Sequence, residues 1–186
     1  IHALHLASFI LGDEVKTLSA DFASCVPGRE LEDDAMVNFR TERGTVGRLW
    51  TSTVAIGRQH GLDIQVFGEK GGLRWAQEHP NQVYYEALGG RTEILEKGKA
   101  GLYDEAARLS RVVIGSPEGF PMAVANIYVD LAEAIRAAKA GREPDPAAMA
   151  YPKAADGLRS MAAVHTAVTS ARSQGVCMDA LPQMYR

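Results

Sequence analysis

The sequence predicts an α+β fold: an open, mainly antiparallel β-sheet with helices packed on one face, built by one domain over residues 1–186. Three observations carry that expectation. Residues from about 15 to 97 alternate apolar and polar positions with period two, the mark of half-buried strands. The connections between these strands are short and rich in glycine, which makes hairpins rather than crossovers. Beyond residue 100 the apolar positions recur at helical spacing instead. Strands in one block and helices in another give the α+β class.

The elements follow in chain order. Leu4, Leu6, Phe9 and Ile10 form a helical apolar pattern that stops at Gly12, a good residue for ending a helix. A helix opens best on Ser, Thr, Asp or Asn, and here it opens on Ile1 with no capping residue ahead. The segment lacks the basic start and cleavage site of a signal peptide. The chain is therefore expected to begin partway into something longer.

Ala35, Val37 and Phe39 share one strand face. The run Val46 to Ile56 places Val46, Trp50, Val54 and Ile56 on one side and Leu49, Thr51, Thr53 and Ala55 on the other. Asp63–Phe67 and Leu73–Trp75 flank Gly68-Glu69-Lys70-Gly71-Gly72, which reads as a hairpin turn. Gln82–Tyr85 and Thr92–Leu95 continue the series. A short helix is expected over Asp104–Val113, and a long one over Met122–Ala140, where Val124, Ile127, Tyr128, Leu131 and Ile135 line up before Gly141. After a connector holding Pro144, Pro146 and Pro152, a last helix carries Leu158, Met161, Ala162 and Val168 inward and stops near Gly175. The sheet face away from the helices is semi-apolar, a candidate surface for self-association.

Composition narrows the function classes. With 20 Lys+Arg against 23 Asp+Glu the formal net charge is −3, so no strongly basic nucleic-acid surface is expected. No apolar run approaches the roughly 20 residues that cross a bilayer. Two cysteines exclude a disulfide scaffold. Asn38, Asn81 and Asn126 all lack a hydroxyl residue two positions on, so no glycosylation acceptor points outside the cell, and a cytoplasmic protein is expected.

Few residues carry candidate chemistry. No G-x-G-x-x-G stands between a strand and a helix, and no phosphate-binding G-x-x-x-x-G-K-[ST] occurs. His2 and His5, at spacing three, share a helix face and could meet one ligand. Their plainer role is a pair of boundary histidines on an amphipathic helix. A metal would need a third ligand, and His60, His79 and His165 show no metal-type spacing, so no metal site is expected. His60 ends the turn Gln59-His60-Gly61, where it either rims a pocket or sits exposed. His165, Trp50 and Trp75 read as packing residues, Glu32-Asp33-Asp34 as a solvated turn, and Cys25 and Cys177 as buried, unreactive thiols.

Several strings in order resemble a known family. Ile1-His2-Ala3-Leu4-His5-Leu6-Ala7 resembles the end of D-x-G-x-H-x-x-[DH]-L, the motif opening the C-terminal domain of the Gfo/Idh/MocA family of NAD(P)-dependent oxidoreductases. The likeness continues through Val26-Pro27-Gly28-Arg29, Asp33-Asp34-Ala35 and the stretch Val66–Trp75. It extends over Gln77-Glu78-His79-Pro80-Asn81, Pro117-Glu118-Gly119-Phe120, Asn126-Ile127-Tyr128 and Asp156-Gly157-Leu158-Arg159.

The resemblance implies a substrate-binding and oligomerisation domain preceded by a Rossmann domain that binds NAD or NADP. It implies oxidation of a secondary alcohol of a sugar or cyclitol, and a homo-oligomer formed through the open sheet face. By position His2 matches the family's catalytic histidine, a general base or proton relay, for which imidazole is well suited. His5 matches a position that contacts substrate hydroxyls, and His60 lies near another.

The chain departs from the pattern too. The motif's Asp belongs four residues before His2, outside these residues. The family's catalytic lysine, in an E-K-P string of the Rossmann domain, has no counterpart, since Glu69-Lys70-Gly71 lies in a hairpin. Ser116 stands where relatives often place a histidine before Pro-Glu-Gly. The 186 residues alone are thus expected to be inactive. The competing readings are a non-catalytic α+β module that dimerises and holds a small ligand, and a metal-dependent hydrolase or isomerase using His2 and His5.

Overall fold

The computed structural model describes residues 1–185. They form two compact units, one from residues 1–59 and 152–185 and the other from His60–Tyr151. All strand pairings are antiparallel, but the series that reads as one sheet is divided into two sheets of four strands.

The first unit opens with α1 (His2–Leu11), followed by β1 (Val15–Ala23), β2 (Asp34–Thr41) and β3 (Val46–Ser52). The first and last of these strands sit on either side of the middle one, and a two-residue strand numbered β8 (Met178–Asp179) completes the order β3-β2-β1-β8. Leu18, Ala20, Val37 and Phe39 fill the inner face. Leu4 of α1 and Ala163 and Ala167 of α4 (Ala154–Arg172) cover it.

Helix α4 buries Ser160, Ala162, Ala163, Thr166, Ala167 and Ser170. Of the residues expected inward, Ala162 is buried and Val168 half-buried, while Leu158 and Met161 are exposed. Small side chains let the helix approach β1 closely, and close approach has a use. Strand β8 pairs with β1 only at Thr17 and Leu18, so the rest of that edge lacks a strand partner. The Ala20 N–H donates to Ser170 Oγ at 2.9 Å, and that hydroxyl donates to the Val176 carbonyl at 2.7 Å. A buried backbone donor is satisfied by a helix residue instead of a strand.

Strand β3 ends sooner than its alternation suggests, because β2 begins at Asp34, whose partner is Ser52. Beyond it Ile56 is fully exposed. The side of β3 that faces the core carries Gly47 and Leu49, so Trp50 and Val46 point outward. Trp50 is thus not a core residue; its indole N–H donates to Asp34 Oδ2 at 2.8 Å. Asp33 is no solvated turn residue either. It is buried and accepts the backbone N–H groups of Cys25 and Val26 at 2.7 and 3.1 Å. Both cysteines are exposed rather than buried. Desolvation and the neighbouring Asp33 carboxylate nonetheless push the Cys25 thiol up, which keeps it protonated and inert.

The second unit holds a meander of β4 (Asp63–Gly68), β5 (Gly71–Ala76), β6 (Gln82–Ala87) and β7 (Thr92–Glu96). Glu69 and Lys70 make the turn between the first two strands. At Gly71 a Cβ would stand 2.3 Å from the Glu86 carbonyl oxygen on the next strand, so only glycine fits. Helices α2 (Asp104–Leu109) and α3 (Phe120–Ala140) follow, with a 3-10 turn at Pro146–Ala148.

Helix α3 ends at Gly141 in the left-handed conformation, φ 65°, as the sequence predicts. The side it buries is not its apolar stripe. Asp130 is buried and takes a bidentate grip from Arg108 at 2.8 and 3.2 Å. One turn to either side, Asn126 bonds Arg111 Nε and the Leu109 carbonyl, and Glu133 pairs with Arg142. Ile127, Tyr128, Leu131 and Ile135 are left exposed. No helix among the described residues is long and apolar enough to cross a membrane.

Candidate functional site

One candidate site is the outer face of α1. No side chain caps its start, and its first hydrogen bond runs from the His5 N–H to the Ile1 carbonyl at 3.0 Å. Leu4 is driven into the core, and this fixes the helix rotation. Its neighbours on the sequence then lie to the side or outside: His2 is exposed and His5 half-buried. The stripe His2, His5, Phe9 runs at spacings of three and four, so two imidazoles and one phenyl ring share a face. Phe9 is exposed too.

Such a face can bind hydroxyl groups through imidazole nitrogens and exchange a proton with one of them. Among the described residues no group of three His, Cys, Asp or Glu side chains could hold a metal ion. Among the described residues the strand pairing is antiparallel, and no strand leads through a glycine-rich turn into a helix N-terminus, the arrangement that cradles a pyrophosphate.

His60 opens the second unit and is exposed. The segment beside it is held firmly: the Gly61 N–H donates to Glu78 Oε1 at 2.7 Å, and the Gln77 N–H to the Leu62 carbonyl at 2.9 Å. That Gly61 contact, with the fields of His60 and His79, keeps the Glu78 carboxyl below the usual carboxylate range. Residues 77–82 also wall a cleft of about 720 Å³, whose other lining includes Lys97, Ser116 and Glu118. Its volume suits a small polar molecule.

Glu118 organises this cleft. It accepts the backbone N–H groups of Arg111 and Val112 and lies 3.0 Å from Lys97 Nζ. Burial works against its charge, but these donors win and hold the carboxyl below its ordinary range. Asn81 grips the same residue's backbone, donating to the carbonyl at 2.9 Å and accepting the N–H at 3.2 Å. The Pro-Glu-Gly loop is thus tied to the β5–β6 turn, and Ser116 contributes its carbonyl to Lys97. Sequence reasoning gave no role to Glu78, Asn81, Lys97 or Glu118. The string Gln77–Asn81 was a signal, because a turn carrying an acid, an imidazole and an amide side by side is built to hold neighbouring loops. His165 is exposed on α4 and meets the Tyr185 hydroxyl through Nδ1, so it is not a buried packing residue.

The chain is similar to known proteins over most of its length. Residues 1–74 match the GFO/IDH/MocA C-terminal domain. The uncharacterised oxidoreductase YfiI of Bacillus subtilis is 31% identical over 180 residues, covering 96% of this chain and 46% of that protein. An oxidoreductase from Sinorhizobium meliloti superposes with a TM-score of 0.90 at 39% identity, over 95% of this chain and 49% of that one. An inositol dehydrogenase homologue from Azotobacter vinelandii, complexed with NADH and myo-inositol, superposes at 0.86 with 34% identity, over 96% and 48% of the two chains. The chain spans about half the length of each of these relatives. Residues 1–74 thus share sequence with the GFO/IDH/MocA C-terminal domain, and the chain as a whole shares the fold of oxidoreductases of which it spans about half.

Proposed function

We propose that this chain is the substrate-binding and oligomerisation domain of an NAD(P)-dependent dehydrogenase that oxidises a secondary alcohol of a sugar or cyclitol. The observation that carries the reading is the exposed face of α1, where His2 and His5 stand one turn apart on a helix fixed by Leu4. His2 takes the proton of the reacting hydroxyl and His5 binds a neighbouring hydroxyl; His60, in the second unit, is proposed separately as a residue that binds substrate hydroxyls. The nicotinamide dinucleotide is held by a domain other than the one these residues form, and the 186 residues alone turn over nothing. The myo-inositol bound by the Azotobacter vinelandii homologue supports a cyclitol. The same reading places the protein in the cytoplasm.

The test joins this domain to its dinucleotide-binding partner and offers NAD and NADP with myo-inositol and a panel of sugars. Reduction of one nucleotide by a polyol is expected, and none from residues 1–186 alone. If no polyol reduces either nucleotide, the reading is wrong.

Oligomerisation is assigned to the outer face of the first sheet, where Met36 pairs with Trp50 and both are about half exposed. Val46 adds to the same face. Exposed apolar side chains clustered on a sheet mark a contact surface. Trp50→Asp is expected to shift the particle mass toward the monomer in light scattering while the circular dichroism stays unchanged. A multimer that survives this change moves the interface elsewhere.

A further inference from the structure

Helix α1 has ten residues, too few to be stable alone, and its start is bare. Its other end is fastened from a distance. After Leu11 the chain turns at Gly12, φ 56°, whose N–H returns to the Phe9 carbonyl. The next carbonyls, of Leu11 and Gly12, accept Arg43 Nη2 at 2.7 and 2.9 Å. Arg43 comes from the turn between β2 and β3, some thirty residues on. Its backbone N–H donates to Asp13 Oδ2 at 3.1 Å and its Nε lies 3.4 Å from the same oxygen. The Glu42 N–H reaches the Glu14 carbonyl at 2.9 Å, a second stitch between the same two segments.

The turn does not need this side chain for its own closure. Thr41 and Thr45 close it through the Thr41 N–H and the Thr41 hydroxyl, both at 3.0 Å, and Gly44 supplies the positive φ of 91°. The guanidinium is therefore spent on α1. It also sets a cation against the carbonyl end of a helix that has no basic residue in its last turn.

We infer that Arg43 is a positioning residue for His2 and His5, holding the helix that carries them by its far end. This rests on the role proposed above for those two histidines. Leu4 and Ala7 seat the helix against the core, and the Arg43 guanidinium holds its C-terminus. Without the guanidinium that end keeps only the backbone bonds at Asp13 and Glu14, and α1 can roll on Leu4 and Ala7. His2 lies only about 3 Å along the axis from Leu4, but side chains stand about 6 Å off the axis, so a roll of about 10° moves its imidazole by about 1 Å. A displacement of that size is enough to slow a proton transfer severely.

The experiment uses the two-domain enzyme. Arg43→Ala is expected to lower kcat for polyol oxidation by about tenfold and to raise KM for the polyol, since both histidines move with the helix. KM for the nucleotide and the thermal midpoint are expected to stay near wild type. In a His2→Ala background the same change should cost no further kcat, because there is no longer a base to misplace. Arg43→Lys should fall between, as one ammonium cannot span two carbonyls and Asp13 together. This variant carries the comparison if the alanine form does not fold. Wild-type kcat and KM in the Arg43 variants would overturn the inference, and so would an equal loss in both backgrounds. Full activity in His2→Ala itself would instead sink the functional reading, and the inference with it.

Discussion

Replacing His2 with alanine is expected to lower kcat for alcohol oxidation by about a hundredfold or more, the usual loss when a general base is removed. The prediction is made for the enzyme that joins this domain to a dinucleotide-binding one. His2 is exposed and makes no contact on which the core depends, so the variant should fold with its stability changed by no more than about 0.5 kcal/mol. Catalysis and stability are thereby separated. A base acts in the transition state far more than in the ground state, so kcat and kcat/KM should fall together while KM for the polyol changes little. A residue that only bound a hydroxyl would give the opposite split, a raised KM with kcat kept. An unchanged kcat removes His2 from the mechanism. A raised KM alone would give it the role proposed for His5.

The histidine face was legible in the sequence because helical spacing and the stop at Gly12 are local properties. The structure has the same helix, with Gly12 in the left-handed region and Leu4 turned inward. The strand positions were legible for the same reason: alternation is written along the chain. Which side of a strand faces the core is another matter. In β3 the period puts Trp50 on one face and Leu49 on the other, and size alone favours burying the tryptophan. The outcome was decided by Phe39 on the neighbouring strand, which needs Gly47 beneath it, and Gly47 shares a face with Leu49.

Helix α3 follows the same logic with charges. Its stripe of Ile127, Leu131 and Ile135 reads as the buried side until Arg108, from a six-residue helix, claims Asp130 on the other. A buried carboxylate must keep its partner, so the pair fixes the rotation. The cleft stayed invisible because its wall joins residues from 77 to 119, and no spacing rule reaches that far. The fastening of α1 by Arg43 is of this kind too. Local order was written in the pattern; orientation depended on single partners far along the chain.

The pair Phe39 and Gly47 yields the largest expected change in stability. A Cβ at position 47 would fall 1.9 Å from Phe39 Cζ and within 2.5 Å of two further ring carbons. The ring therefore lies flat across the glycine, directly opposite it in the ladder. Phe39 is only 6% exposed and belongs to the same cluster as Leu18 and Val37. With Gly47→Ala the ring must leave this place, since a rigid aromatic side chain cannot yield by bending. Losing a buried phenylalanine's packing costs about 3–5 kcal/mol. An unfolding midpoint about 6–20 °C lower is expected, at about 2–4 °C per kcal/mol for a chain of this size. A double-mutant cycle shows whether the ring is the cause. Phe39→Ala should be destabilising by a similar amount, and adding Gly47→Ala to it should cost little or nothing more, because the clash has gone. Additive losses would mean that alanine at 47 disturbs the β2–β3 ladder itself, and that the glycine is required by the backbone and not by the ring above it.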